Sequence, residues 1–546
     1  MNRNVRYKLA DGLRPRGRGD TMEFNLADLF EHAVDTWGER EYVVADGQRR
    51  TYAQMEERAN RLAHHLADQG IGPGDHVGIY GVNSVERIES LWAIFKLRAV
   101  WININYRYVA DELAYLFGNA NLKALIHDAA FTDRVAGVAE HMPALRHRLV
   151  IGIDYEDALA AGSPERDFGP RSGDDRYILY TGGTTGMPKG VVWRHEDVLF
   201  ALGGGIDVLS GERATAPGDL AERGRKLGFA LTFLPIAPLM HGATQWAVMG
   251  QSFMGHKVVL MGQFDPHEVW RLVEAEKANS MLMTGDAMAR PLIEALDVEP
   301  SASRDLSSLI SLSSTAAVFS PSLKDQYLDR FPNLVLTDAI GSSEGGANGI
   351  IIVEKGKTEM RGGPTVTPVS GTVVLDERMQ PVEPGSGVIG RVARTGDIPL
   401  GYYDDPVKTA ETFVEVDGTR YVIPGDLALV EDDGSVTLLG RGSQSINSGG
   451  EKIFPEEVEA AVKSHPAVYD AVVVGVPDER WGQRVAAVVQ PRAGMVPELA
   501  SVQEHCRTKI AGYKVPRELH VVELMQRSPS GKADYPWAKR IATPEG

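Results

Sequence analysis

The stretch Tyr180-Thr181-Gly182-Gly183-Thr184-Thr185-Gly186-Met187-Pro188-Lys189-Gly190 follows a strand-like run, Tyr177–Tyr180. Gly182, Gly183 and Gly186 let the backbone turn tightly and aim successive N–H groups at one anion. Thr181, Thr184 and Thr185 add hydroxyl donors, and Lys189 adds a positive charge. A plain hairpin turn needs only two or three such residues, so this density points to a loop that holds phosphate. It is not a Walker A loop, because Pro188 precedes the lysine and Gly190 follows it where that motif needs Ser or Thr.

Around this loop, from Thr51 to about Leu439, helical and strand-like patterns alternate, the mark of α/β layering. Met55, Ala59, Leu62, Ala63 and Leu66 fall at helical spacing and predict a helix over Gln54–Gln69, stopped by Gly70. The apolar runs Val77–Tyr80, Lys257–Leu260 and Leu334–Leu336 read as buried strands. After Thr365, Gly and Pro become dense and short strands (Gly371–Leu375, Gly390–Arg394, Val436–Leu439) predict a small β-rich subdomain. Beyond Gly440-Arg441-Gly442-Ser443 an α+β pattern begins: helix from Pro455 to about Ser464, strands Ala471–Gly475 and Arg484–Val489, helix near Pro497–Ile510. The expected organisation is a large N-terminal domain, 1–440, and a small α+β C-terminal domain, 441–546.

The chain has 546 residues, more than the ~250–300 that one hydrophobic core supports, so two or more domains are expected. A formal charge of −17 argues against nucleic-acid binding, which needs clustered Lys and Arg. An anionic ligand must then be held by a local cationic site, not by the overall field. The single cysteine, Cys506, excludes an internal disulfide and a cysteine metal cage and fits a reducing cytoplasm. No run approaches the roughly 18 apolar residues of a transmembrane segment. Arg3, Arg6, Lys8, Arg14, Arg16 and Arg18 surround no apolar stretch, so the first residues read as a solvated basic arm and not a secretory signal.

The 180–190 stretch resembles, almost letter for letter, the phosphate loop of the adenylate-forming superfamily, which comprises acyl-CoA synthetases, peptide-synthetase adenylation domains and beetle luciferases. Further stretches follow in that family's order along nearly the whole chain. Asp338-Ala-Ile-Gly-Ser-Ser-Glu344 resembles the segment that ends at the adenylate site. The resemblance implies that Glu344 holds Mg²⁺, that Ser343 keeps the hydroxyl of the usual threonine, and that Asp338 can accept from the adenine amino group. Ile340 departs from the aromatic residue usual beside adenine. Pro424-Gly425-Asp426 resembles the Thr-Gly-Asp whose aspartate accepts from both ribose hydroxyls; a second Thr-Gly-Asp, at 395–397, lies just before Gly401-Tyr402 and fits a different segment. Arg441 matches an arginine that contacts ribose or phosphate, and Ser443 stands at the hinge position. Gly449 and Gly450, in Ser448-Gly-Gly-Glu-Lys-Ile453, resemble the loop that enters the site for thioester formation, and Lys532, in Arg527-Ser-Pro-Ser-Gly-Lys532, matches the catalytic lysine.

What the family resemblance implies is a two-step ligase using ATP, Mg²⁺ and CoA. A carboxylic acid is activated as acyl-AMP with release of pyrophosphate, and CoA then takes the acyl group. A ligase loading a separate carrier protein and a catalytically inactive nucleotide-binding homologue are the competing readings; Glu344, Asp426, Arg441 and Lys532 are all present, against the second. His241 and Gly242 resemble the segment bordering the acyl channel, and Ala316 and Ala317 stand on the pocket floor. Gly203, Gly204 and Gly205, in a helix-like stretch, are expected to open room for a bulky group. No charged residue marks this pocket, which implies an apolar acid. Thr284–Pro291 and Gly531–Trp537 look like actinobacterial acyl-CoA synthetases, some of which act on long-chain or steroid side-chain carboxylates. A homodimer is allowed for, but no motif encodes one.

Overall fold

The computed structural model describes residues 23–181, 187–207, 210–298, 304–356, 363–448, 451–527 and 532–543. The basic N-terminal arm, Gly182–Gly186 and the Gly449–Gly450 pair lie outside them.

Three sheets organise the chain. The first has seven strands in the order Gly401–Tyr402, Lys189–Arg194, Arg176–Thr181, Val100–Ile104, His76–Tyr80, Ala124–Asp128 and His147–Ile151. From Arg176–Thr181 to His147–Ile151 neighbours run parallel, and the two strands beyond Arg176–Thr181 are antiparallel additions. Parallel strands are covered on both faces, which is why Val100–Ile104 is buried at every position.

The second sheet places Val335–Ser342, Ser311–Thr315, Ser280–Met283, Thr232–Pro235, Lys257–Leu260 and Glu41–Ala45 side by side, all parallel. It continues through the Gly346–Ile352 hairpin strand into an antiparallel region built from residues 365–441. That region is the β-rich segment expected from the Gly- and Pro-dense sequence. The third sheet holds Ile446–Ser448, Glu451–Ile453, Val468–Asp478, Gly482–Pro491 and Glu518–Val521. Helices Pro455–Lys463 and Leu499–Arg507 cover its Ile446, Val473, Val485, Ala487 and Val489 face, and Tyr535–Ala542 covers the other. These elements form what is called here the small unit.

The first two sheets are joined by a shared aromatic core. Helix Tyr52–Asp68 opens with a capping box, Thr51 accepting from the Gln54 N–H and Gln54 accepting from the Thr51 N–H. Its Met55, Ala59, Leu62, Ala63 and Leu66 are fully buried, the face that the spacing predicted. Phe30 stacks on Trp92 at 4.3 Å and 4°, Tyr42 on Tyr52 at 4.3 Å, and the Trp92 indole donates to the Tyr42 hydroxyl at 3.1 Å. The strand expected at Leu334–Leu336 is longer, Val335–Ser342, because alternate residues face outward and interrupt the apolar run.

A buried ionic cluster pins residues 163–175 to this core. Lys96 donates to Glu31 and Glu56, Arg166 to Glu56 at 2.7 Å, and Arg171 to Glu31. Burial raises the Glu31 pKa, but Lys96 and Arg171 outweigh it and the net shift is downward. The cluster therefore adds stability above the ordinary carboxylate range and loses it as pH falls through the depressed value. Lys96→Met leaves two buried carboxylates short of a cation and is expected to cost about 3 kcal/mol. Urea unfolding followed by intrinsic fluorescence measures it; an unchanged midpoint would show the cluster to be energetically neutral.

Candidate active site

The candidate site lies along the seam of the first two sheets. Asn103, on the Val100–Ile104 strand and almost fully buried, donates to the carbonyls of Tyr180 (2.9 Å) and Met240 (2.7 Å) and accepts from the Tyr180 N–H (2.7 Å). One side chain thus fixes the strand entering the 182–186 loop against the segment leading into helix Gly242–Phe253. Gly242 lets that helix start press onto the strand, since a Cβ there would lie 2.3 Å from Leu179 Cδ2. The strands on either side of the loop pair in register, Thr181 opposite Lys189. The loop that sequence marks for phosphate is therefore the connection of a closed hairpin.

Lys189 reaches toward a group of side chains from distant segments. Its ammonium lies 3.4 Å from Asp405 and 5.6 Å from the centroid of the Tyr402 ring. The Tyr402 hydroxyl donates to Glu344 Oε1 at 2.9 Å. Glu344 occupies the turn between Val335–Ser342 and Gly346–Ile352, held from below by the Trp193 indole donating to the Ser343 carbonyl at 3.0 Å. Burial first, then the Glu344 carboxylate, raises the Tyr402 pKa well above the ordinary phenol, so this hydroxyl stays a donor.

Asp426 and Arg441 face each other across an antiparallel pair with their side chains 3.3 Å apart. Lys532 sits within the field of both and of Glu344. Desolvation of its ammonium, followed by the Arg441 charge, lowers its pKa, against opposing pulls from Asp426 and Glu344. The residue as a whole is exposed, so part of its surface faces solvent while its ammonium lies desolvated in the field of the other three groups. The alternative aspartate, Asp397, is engaged by Arg213 at 2.6 and 3.0 Å and is not part of this group.

Other expected residues are placed differently. Asp338 is buried and accepts from Lys324 at 2.6 Å, so its carboxylate anchors helix Pro321–Arg330. Ile340 is buried on the same strand. Ser443 lies in the short turn Gly442–Gln444, and the strands flanking Gly449–Gly450 pair Ser448 with Glu451. His241 is the residue before helix Gly242–Phe253. Ala316 has φ +67° and closes a three-residue turn in which the Ala317 N–H donates to the Thr315 carbonyl at 2.8 Å. An alanine in the left-handed region stores strain.

Gly203, Gly204 and Gly205 correct an expectation. They lie past the end of helix His195–Ala201, and added Cβ atoms would come within 2.9 Å of Leu199 Cα, 3.2 Å of Gly250 Cα and 2.6 Å of Phe200 Cδ1, respectively. These glycines allow close packing and open no room.

Tyr402, Asp405 and Trp193 had no assigned role from sequence. Gly401-Tyr402 was legible only as a segment, and what would have exposed the tyrosine is its strand pairing with Val191. Among the described residues no three His, Cys, Asp or Glu side chains cluster as a metal cage. No described helix is long and apolar enough to cross a membrane.

This chain belongs to the AMP-binding enzyme family: the family profile matches residues 30–403, and that of the AMP-binding enzyme C-terminal domain matches 457–532. It is an AMP-forming acid–thiol ligase, using ATP and CoA. Among its relatives, a 3-oxocholest-4-en-26-oate–CoA ligase of Rhodococcus rhodochrous is 54% identical over 533 residues, covering 95% of this chain and 96% of that protein. A medium/long-chain-fatty-acid–CoA/3-oxocholest-4-en-26-oate–CoA ligase of Mycolicibacterium smegmatis is 52% identical, covering 95% and 97%. In fold the chain is similar to the anthranilate CoA ligase AuaEII (TM-score 0.82, 22% identity, covering 95% and 97%). It is likewise similar to ATP-bound MatB from Rhodopseudomonas palustris (TM-score 0.80, 24% identity, covering 95% and 99%).

Tyr402→Phe removes the hydrogen bond to Glu344 and little else. A bond to a charged acceptor is worth about 1.5–3 kcal/mol, so ATP–pyrophosphate exchange is expected to fall at least tenfold. An unchanged exchange rate would show that Glu344 needs no such orientation.

Proposed function

We propose that this ligase activates a medium- to long-chain fatty acid or a steroid side-chain carboxylate, with the group around Glu344, Asp426, Arg441 and Lys532 as its reaction centre. The observation that carries the centre is the convergence of Lys532, from the small unit, on three charged residues of the large one. The acid class rests on the two relatives above, whose names specify such substrates.

In the first half-reaction a carboxylate oxygen attacks the α-phosphorus of ATP, and pyrophosphate leaves. Lys532 sits between the two anions and Arg441 beside them. The arriving negative charge favours the ammonium, against the desolvation and the Arg441 charge that disfavour it. Lys189 and Thr181, at the two ends of the 182–186 loop, hold the β- and γ-phosphates together with the glycines and threonines of that loop. Asp426 accepts from the ribose hydroxyls. Asp338, held by Lys324 through one oxygen, keeps its other oxygen as the acceptor for the adenine amino group, and Ile340 offers apolar contact.

Glu344 suits Mg²⁺. It is a hard oxygen donor, kept in place by Tyr402, and a lone carboxylate is what this ion takes when substrate phosphates and water supply its other ligands. Bound there, the ion neutralises triphosphate charge and polarises the α-phosphate.

In the second half-reaction the CoA sulfur attacks the acyl carbonyl and AMP departs with the C–O bond electrons. Lys532 is then in the way. The small unit turns about Ser443, withdrawing the lysine and bringing in the Gly449–Gly450 loop, where absent side chains admit a pantetheine arm. The proposed boundary between the two domains is at about residue 441.

Lys532→Ala is expected to lower adenylate formation by at least 100-fold and to leave thioester synthesis from a supplied acyl-AMP within a fewfold of normal. Equal loss of both half-reactions would sink the two-arrangement reading. Mass detection of CoA thioesters across acids from acetate to palmitate to a steroid side-chain carboxylate tests the acid; turnover confined to short acids would overturn it.

A further inference from the structure

Glu456 stands in the first turn of helix Pro455–Lys463, on the small-unit side of the Gly442–Gln444 turn. Its carboxyl end rests on the large unit. A Cβ added to Gly440 would lie 2.4 Å from Glu456 Oε2 and 2.8 Å from Oε1, so the carboxyl fills the place where any other residue 440 would carry its side chain. Gly440 has φ +106° and precedes Arg441, the partner of Asp426. The Tyr535 hydroxyl donates to Oε1 at 3.4 Å, while Oε2 is buried without a hydrogen-bond partner.

Among the described residues, no lysine or arginine forms an ion pair with this carboxyl. The groups around it are Asp426 on the large unit, Glu459 on its own helix and Tyr535 on helix Tyr535–Ala542. Glu459 accepts from the Val473 N–H and is in the field of Lys463 and Arg527, so those cations serve Glu459. A carboxylate so placed is desolvated and repelled by two neighbours, whereas a carboxylic acid is not. Burial first, then Glu459, pushes the Glu456 pKa up to about 8.

Resting on the two-arrangement reading above, we propose that Glu456 is a positioning residue for adenylate formation. Its uncharged carboxyl seats the small unit on Gly440 and so brings Lys532 to Asp426 and Glu344. When the unit turns away, the carboxyl enters water and releases its proton to solvent.

Solvated, this group has the ordinary carboxylate value, ~4.3. Between that value and about 8 the seated arrangement holds one proton more than the turned one. Its population relative to the turned form therefore falls as pH rises, by up to about tenfold per pH unit, and levels off above about pH 8.

The test compares the full-length wild type with Glu456→Gln from pH 6 to 9. Single-turnover pyrophosphate release reports adenylate formation, and thioester synthesis from supplied acyl-AMP reports the second half. In the wild type the ratio of the first rate to the second should fall several-fold from pH 6 to 8 and then flatten. In Glu456→Gln, which keeps the shape without the charge, that component of the slope should vanish and the ratio at pH 8 should exceed the wild type's several-fold. A Gln variant that follows the wild-type curve, or a wild-type ratio that does not move with pH, overturns the proposal. If Glu456→Gln does not accumulate folded, Glu456→Ala replaces it; lacking the carboxyl, it must lose the same component of the slope. Failure here with Lys532→Ala still separating the half-reactions discards the role of Glu456 alone, whereas loss of that separation discards the underlying reading.

Discussion

Asn103 is the tie on which the arrangement of the site depends. Its amide spends both donors and its acceptor on backbone groups of two chain segments, the first sheet's Arg176–Thr181 strand and the turn that follows the second sheet's Thr232–Pro235 strand. In a buried seam, each of those backbone groups would cost about 1–3 kcal/mol if left without a partner. The pairing therefore fixes both distance and register. Asn83 adds a second stitch, accepting from the Leu239 N–H at 2.8 Å, and Gln245 a third, donating to the Leu239 carbonyl at 2.7 Å. With the sheets so joined, the Arg176–Arg194 hairpin, the start of helix Gly242–Phe253 and the Glu344 turn are held at one seam.

Charge is handled locally at that seam. A chain of net charge −17 cannot attract a nucleotide by its overall field; Lys189 stands beside Asp405, and Arg441 and Lys532 stand with Asp426 and Glu344. Two of these cations already have acidic partners, Asp405 and Asp426. Those partners hold the long side chains in place before any ligand arrives, which reduces the entropy to be lost on binding. The family to which the chain belongs thus meets an electrostatic problem with preorganised pairs and not with bulk charge.

The parts legible in the sequence were those that a short run of residues encodes. The 181–190 stretch stood out by glycine and threonine density, and the strands on either side of it pair as a hairpin. Helix Tyr52–Asp68 and strand Lys257–Leu260 followed from spacing alone. Glu344, Asp426, Arg441 and Lys532 stood out only through the order of their motifs, and they share one field in the structure. Tyr402 was not legible, because its importance lies in a partner 58 residues away. The Lys324 partner of Asp338, fourteen residues away on another element, was not legible either. The glycines at 203–205 were read as spare volume; whether a glycine makes a gap or fills one depends on what packs opposite, here Phe200 and Gly250.

The parallel pairing of Val43 with Val258 has a consequence for how the protein is made. Glu41–Ala45 is made well before its parallel neighbour Lys257–Leu260, which follows six of the first sheet's seven strands and part of the second. Until then the edge formed by Val43 and Val44 has only the short Gln48–Thr51 strand beside it. Such long-range closure slows folding and prolongs the exposure of an apolar strand edge. During biosynthesis this early hairpin is the segment most in need of a chaperone's cover, and a slower-translating stretch before Val258 would lengthen that need.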